Sequence, residues 1–346
     1  MSSFIVKKER LSSYLKRLAD KFEVHVPVSK EGMSLFAPYQ ENLELDFGSH
    51  PRLSAKSFFL PQREVMLQYG TNGEKLQQEQ AAAHFQQLLF GVKPCDARAI
   101  EINARLLADN CSQTTAQDVY FKTRLNTTIM VGYGCDQPGA ACFCSSTGGG
   151  AFNTTGLDAL ITDLGDELLV RLFEDRPNSQ KLVDRDLMEE ATGEVLAAAA
   201  AIAENAEKKM SGMPELVKPE SGDSELFQLE LWEETAQRCI NCGICTYLCP
   251  TCTCFDIIDE GSGECTTQSR CWDSCMFGLF TLHASGHNPR PGRKERLRQR
   301  FMHKLSYFPD RYDGIVGCVG CGRCVMYCPV NIDIREISRL MAEVGG

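Results

Sequence analysis

Apolar and polar positions follow two different periods along the first 186 residues. Residues 6–22 place Leu11, Leu15 and Leu18 at helical spacing among basic side chains, which predicts an amphipathic helix. Residues 24–28 (Val-His-Val-Pro-Val) read as a short strand, and the apolar run Ser57-Phe-Phe-Leu-Pro-Gln is broken by its proline. Residues 85–92 and 128–133 are short β-rich runs, and each leads into a cysteine. Residues 159–170 read as two strands around a Gly-Asp turn. The alanine-rich stretch 187–210 predicts a helix. Residues 211–224, with Gly212, Pro214, Pro219 and Gly222, read as a linker. Beyond it, helical signals fall at 277–283 and 293–306. The pattern predicts a mixed α/β domain over 1–210 and an all-α helical domain over 225–346.

Length and composition support that division. At about 150 residues per domain, 346 residues make roughly two domains. With 43% hydrophobic and 24% charged residues the chain can build a core, which excludes disorder as its main state. A net charge of −10 argues against a nucleic-acid binder. From Glu225 onward there are 13 basic and 15 acidic residues, against 23 and 31 before it, so the acidity is concentrated in the first part. No stretch approaches the roughly 18 apolar residues of a membrane span, and the N-terminus shows no signal peptide. The expected compartment is the cytoplasm. There thiols stay reduced, and the 18 cysteines read as metal ligands rather than disulfides.

Thirteen of those cysteines lie between Cys239 and Cys328. Cys239-Ile-Asn-Cys242-Gly-Ile-Cys245-Thr-Tyr-Leu-Cys249-Pro250 has the spacing C-x2-C-x2-C-x3-C-P, and Cys318-Val-Gly-Cys321-Gly-Arg-Cys324-Val-Met-Tyr-Cys328-Pro329 repeats it. This is the ligand run of bacterial ferredoxins. The x2 gaps let one tight loop reach three corners of a cubane, and the fourth cysteine serves the other cluster. Cys239, Cys242, Cys245 and Cys328 are therefore expected to hold one [4Fe–4S] cluster. Cys318, Cys321, Cys324 and Cys249 are expected to hold a second. Gly243, Gly320 and Gly322 would let backbone N–H groups approach the sulfides. Zinc fits poorly, because it takes four ligands in all and these runs supply eight. The 225–346 domain thus reads as helical ferredoxin-like with two clusters.

The first domain carries Cys95, Cys135, Cys142 and Cys144 in two loops that follow strands. Four thiols suffice for a third cluster, a zinc ion, or no metal at all, and their spacing leaves the three open. The triplet Gly148–150 permits close backbone approach to a cluster or a phosphate, but no dinucleotide or Walker fingerprint is present. No flavin site is read in this chain. Cys252, Cys254 and Cys275 complete a further cluster, exchange into the one on the first-domain cysteines, or pack as free thiols near the ferredoxin core, and free packing is the reading taken here. Cys111, Cys265 and Cys271 read as incidental; His283, His287 and His303 could ligate iron but, with enough thiolates available, read as structural, and His25, His50 and His84 carry no signal. Residues 290–304 hold seven basic residues against Glu295 alone. They read as a solvated helix face, with steering of an acidic partner or offset of cluster charge as the alternatives. Glu64, Asp96 and Asp136 take no acid–base role.

Several segments together resemble one family. They are Ser57-Phe-Phe-Leu-Pro-Gln-Arg-Glu64, Gly91-Val-Lys-Pro-Cys-Asp96, Cys142-Phe-Cys144, Cys249-Pro-Thr-Cys-Thr-Cys-Phe255, Trp272-Asp-Ser-Cys-Met276, Gly286-His-Asn-Pro-Arg-Pro291 and Cys318-Val-Gly-Cys-Gly-Arg-Cys324. With them the chain resembles the iron–sulfur beta subunits of cytosolic sulfhydrogenases and the corresponding iron–sulfur subunits of anaerobic sulfite reductases. The resemblance implies an electron-relay subunit with several [4Fe–4S] clusters, set between a flavin subunit that binds NAD(P) and a catalytic redox subunit. It also implies that Cys95, Cys135, Cys142 and Cys144 hold a third cluster. The catalytic partner stays open among hydrogenase, sulfite reductase and heterodisulfide-reductase types. Two other functions remain: a reductase with an open iron site, and a cluster-based redox sensor or assembly module.

Overall fold

A computed structural model describes residues 2–70, 75–77, 86–108, 117–210, 216, 223–262 and 265–343. Cys111, His84 and most of the stretch expected as a linker lie outside these residues. In chain order the described strands are β1 (Ser3–Lys7), β2 (Glu23–Lys30), β3 (Met33–Pro38), β4 (Arg63–Gly70), β5 (Lys75–Gln77), β6 (Gln87–Val92), β7 (Thr128–Tyr133), β8 (Ala159–Asp163), β9 (Glu167–Leu172), β10 (Glu189–Glu190), β11 (Phe255–Ser262) and β12 (Cys265–Trp272). The chain divides into two compact units that interleave along the sequence. One comprises Met1–Lys56, Ala83–Met213 and Val319–Cys321, and the other Ser57–Ala82, Pro214–Cys318 and Gly322–Gly346.

The first unit is mixed α/β. Its eight-stranded sheet runs β10-β1-β9-β8-β7-β6-β2-β3. The four strands β2, β6, β7 and β8 pair in parallel, and the outer pairings are antiparallel. The parallel strands β6 and β7 are buried on both faces, which is why they read as continuous apolar runs (Leu88, Leu89, Phe90; Ile129, Met130, Val131). Residues 6–22 divide: β1 comes first, then a single 3-10 turn, then the helix Leu11–Ala19 that buries Tyr14, Leu15 and Leu18. The alternation Phe4/Val6 belongs to β1, where side chains face the core every second residue. The hairpin β8–β9 forms as expected, with Asp163 Oδ1 accepting from the Gly165 N–H in its turn at 2.9 Å. The alanine-rich helix spans Gly193–Met210.

The second unit departs from the all-α expectation. Between the two ferredoxin runs, β11 and β12 form a hairpin, and β12 also pairs with β4 in the antiparallel order β11-β12-β4-β5. The hairpin is stitched to β4 by a buried cross-strand ion pair, Arg270 on Glu64, which stand opposite one another in the register. The Arg270 guanidinium also lies over the Phe255 ring, 5.2 Å from its centroid. Charges that pair across strands hide the strand character of a polar sequence from a hydrophobicity reading. Residues 277–283 form turns rather than a helix, held by Thr281 and Gly278 bonding to the Asn288 side chain. The helix Arg293–Met302 forms and continues into a π turn, His303–Tyr307. Its buried face stacks Phe301 on Trp232. Among the described residues no helix is long and apolar enough to cross a membrane.

Candidate metal centre

Each ferredoxin run leads into a short helix of the second unit. Cys239 closes the helix Leu231–Arg238, and Gly243 then turns left-handed (φ 73°) to start the helix Ile244–Tyr247. Gly322 (φ 74°) starts Arg323–Met326 in the same way. A side chain at Gly243 would be strained by that φ and would also meet the Phe277 ring at 2.8 Å.

One cavity of about 470 Å³, counted with the solvent at its mouth, is lined by Cys239, Cys242, Cys245 and Cys328 together with Cys324 and Arg300. The first three cysteines of one run and the last of the other therefore face a common space. Two backbone N–H groups already point at sulfur there: Ile332 at Cys328 Sγ (3.2 Å) and Asn241 at Cys239 Sγ (3.5 Å). Such donors stabilise negative charge on a cluster. Burial pushes the Cys245 thiol up to about 11. The Arg300 guanidinium opposes this, while Cys324, Cys239 and Cys242 add to it. The sulfurs, N–H donors and cation around this space fit a [4Fe–4S] group.

Beside this cavity Cys324 faces Cys249 and the Arg300 guanidinium. Cys249 Sγ lies 3.3 Å from Thr251 Oγ1. The Lys304 ammonium interacts electrostatically with Cys249, Cys252 and Cys318. The three additional cysteines pack thiol against thiol, Cys252 on Cys249 and Cys275 on Cys254, at the base of the β11–β12 hairpin where the Asp273 N–H reaches the Cys254 carbonyl (3.0 Å). The basic stretch is divided: Arg293 is exposed and Arg290, Lys294 and Arg298 are half-buried, as a solvated face would have them, but the other three are not. Arg296, Arg300 and Lys304 are buried, four residues apart, on the inward side of the helix and its π turn.

In the first unit the candidate cysteines sit at the carboxyl ends of the parallel strands β6 and β7, where open α/β sheets place their ligands. Cys95 lies in the first turn of the helix Pro94–Leu107 and contacts His50 Nε2 at 3.4 Å. Cys135 follows β7, and its thiol is pushed up to about 11 by burial, with Lys93 opposing and Cys142, Asp96 and Asp136 adding. Cys144 rises to about 12 by burial, then Cys135, Cys142 and Glu207. Cys135, Cys142 and Cys144 thus face one another, next to the buried Lys93. The glycine triplet is occupied by the protein itself: a Cβ on Gly150 would stand 2.6 Å from Glu207 Oε1, the atom that accepts the Ala151 N–H. Gly320 has a role the sequence did not disclose. Its carbonyl accepts the Phe143 N–H at 2.8 Å, and a Cβ there would lie 2.4 Å from the Phe143 carbonyl oxygen. Cys142 Sγ lies 3.9 Å from the Cys321 carbonyl oxygen on the same segment.

The buried cations Lys93, Arg300 and Lys304, and Thr251 beside Cys249, were not among the expected site residues. The available signal was the i, i+4, i+8 repeat of Arg296, Arg300 and Lys304 on one helix face.

A chain with two ferredoxin runs around such a space is of the iron–sulfur class, and residues 238–332 match the 4Fe-4S dicluster domain. The domain indicates [4Fe–4S] clusters. Over 332 residues, 94% of each protein, the chain is similar to Sulfhydrogenase 2 subunit beta from Pyrococcus furiosus at 29% identity. No solved structure matches it.

Proposed function

We propose that this chain is the iron–sulfur electron-transfer subunit of a multi-subunit oxidoreductase, passing single electrons between a flavin subunit that binds NAD(P) and a catalytic redox subunit. The observation that carries this reading is the common cavity of Cys239, Cys242, Cys245 and Cys328. Those four would hold one [4Fe–4S] group. Cys249, Cys318, Cys321 and Cys324 would hold the second, with Cys321 included on the spacing of its run. Cys95, Cys135, Cys142 and Cys144 would hold a third. A bound cluster supplies reversible one-electron transfer without bond-making on a substrate. The protein's part is to bind it through thiolates, to point the Ile332 and Asn241 N–H groups at sulfur, and to place buried cations nearby. The thiol-on-thiol packing of Cys252 and Cys275 supports a packing role for the additional cysteines.

Iron and acid-labile sulfide in the anaerobically purified chain test the assignment. About twelve irons per chain are expected, and about eight would remove the first-unit site. The chain should be reduced by dithionite without turnover of a small substrate. Colourless, zinc-loaded material with no EPR signal after reduction would overturn the reading.

A further inference from the structure

Lys304 is the most unusual charge in the second unit. It lies on the π turn His303–Tyr307 and is buried, with 5% of its surface exposed. Its Nζ donates to Thr251 Oγ1 at 2.9 Å and to the Gly317 carbonyl at 2.8 Å. Among the described residues no carboxylate pairs with it. Its electrostatic partners include Cys249, Cys252 and Cys318, and Thr251 Oγ1, which accepts from it, stands 3.3 Å from Cys249 Sγ. A buried ammonium without a carboxylate is costly unless other negative charge compensates it. Cys249 and Cys318 would supply that negative charge as thiolates on a metal group.

The hydrogen bonds make the link specific. Thr251 Oγ1 accepts from Lys304, donates to the Gly317 carbonyl at 2.8 Å and stands 3.3 Å from Cys249 Sγ. Gly317 is the residue before Cys318, and its N–H returns to the Lys304 carbonyl at 2.9 Å. Lys304 therefore braces two cysteines of the second site, one from each run. Arg300 differs. It donates weakly to the Cys245 carbonyl (3.5 Å) and faces Cys324, so it addresses both sites.

We infer that Lys304 is the buried counter-charge of the second ferredoxin site and that, with Thr251 as its bridge to Cys249, it raises the potential at which that site accepts an electron. A fixed positive charge in a low-dielectric surrounding favours the more negative, reduced form, and hydrogen bonding at sulfur acts in the same sense. Lys304 is thus a positioning and tuning residue rather than a ligand. The inference rests on the cluster reading above.

An EPR-monitored redox titration of the full chain, purified anaerobically, tests it. The chains compared are the unaltered protein, Lys304→Met, Lys304→Arg and Thr251→Val, with iron content measured on each. A Cys318→Ser chain, which loses the second site's signal, identifies that signal. In Lys304→Met the second signal is expected to move to lower potential while the first stays in place. Lys304→Arg is expected to restore it, and Thr251→Val to move it the same way by less. The second signal unmoved, or every signal moved equally, at full iron content overturns the inference. If Lys304→Met loses iron, Thr251→Val decides: a lowered second signal supports the inference and an unmoved one overturns it. An unaltered chain without iron overturns the cluster reading itself.

Discussion

The thiols of Cys135, Cys144 and Cys245 stand at about 11, 12 and 11, raised first by burial and then by neighbouring cysteines. In the metal-free chain these groups are neutral near pH 7, so loading a metal group must expel their protons. The same shifts fix a pH dependence. A thiol whose folded pKa exceeds its ordinary value near 9 binds its proton more tightly when folded. Its contribution to stability is complete below about pH 9 and is lost as the pH climbs through 11 to 12. The urea midpoint of the metal-free chain should therefore fall steadily above pH 9, and a Cys144→Ala chain should fall less steeply. A midpoint flat to pH 11 would contradict the burial of these thiols. Alkylation by iodoacetamide at pH 8 should likewise be slower at Cys144 than at a free model thiol, because the thiolate is the reacting form.

At the scale of elements, the hairpin β11–β12 is the part of the second unit that needs explanation. Its two strands carry Asp256, Asp259 and Glu260 on one side and Arg270 on the other, yet they pair over eight residues and extend to β4. The pair Arg270–Glu64 is buried on both sides, and Trp272 adds a bond from its indole Nε1 to the Leu60 carbonyl at 2.9 Å. Removing one partner leaves a buried charge, which costs about 3–5 kcal/mol. Arg270→Met or Glu64→Gln alone should therefore lower the denaturation midpoint strongly. The joint replacement Arg270→Met with Glu64→Leu should recover most of the loss, because an apolar pair of similar volume is close to neutral. The exposed pair Arg63–Glu260 on the same strands offers a control, since its loss should cost about 0–1 kcal/mol. In the first unit the comparable constraint is Gly320, where alanine must displace the backbone at Phe143 and Cys144.

Over the whole chain, the defining feature is that two cysteine runs almost eighty residues apart contribute to one cavity. The cavity collects Cys328 with Cys239, Cys242 and Cys245. A Cys328→Ser chain should then lose the site built on Cys239, at a cost of about four irons, and keep the signal of its own run. Loss of the other signal would assign Cys328 to its own run and remove the crossing. The units also interleave: residues 57–82 belong with the second unit and Val319–Cys321 with the first. Each unit is therefore assembled from distant parts of the chain, and truncation near residue 211 would remove the partner strands β11 and β12 from β4.

Much of this architecture could be read in advance. Strands β6 and β7, the hairpin β8–β9 and the helix after residue 293 declare themselves by local period, because each buries side chains at a regular interval. The cysteine runs declare a metal group by spacing, since a short loop can reach only certain corners of a cubane. What could not be read was every feature that depends on a remote partner. The hairpin β11–β12 gave no strand signal because its charges pair across strands, and the basic stretch 290–304 read first as solvated because the groups its buried face meets lie on other segments. Local pattern reports how a segment divides water from core. Whether a buried charge finds its counterpart is settled only when the chain brings distant residues side by side.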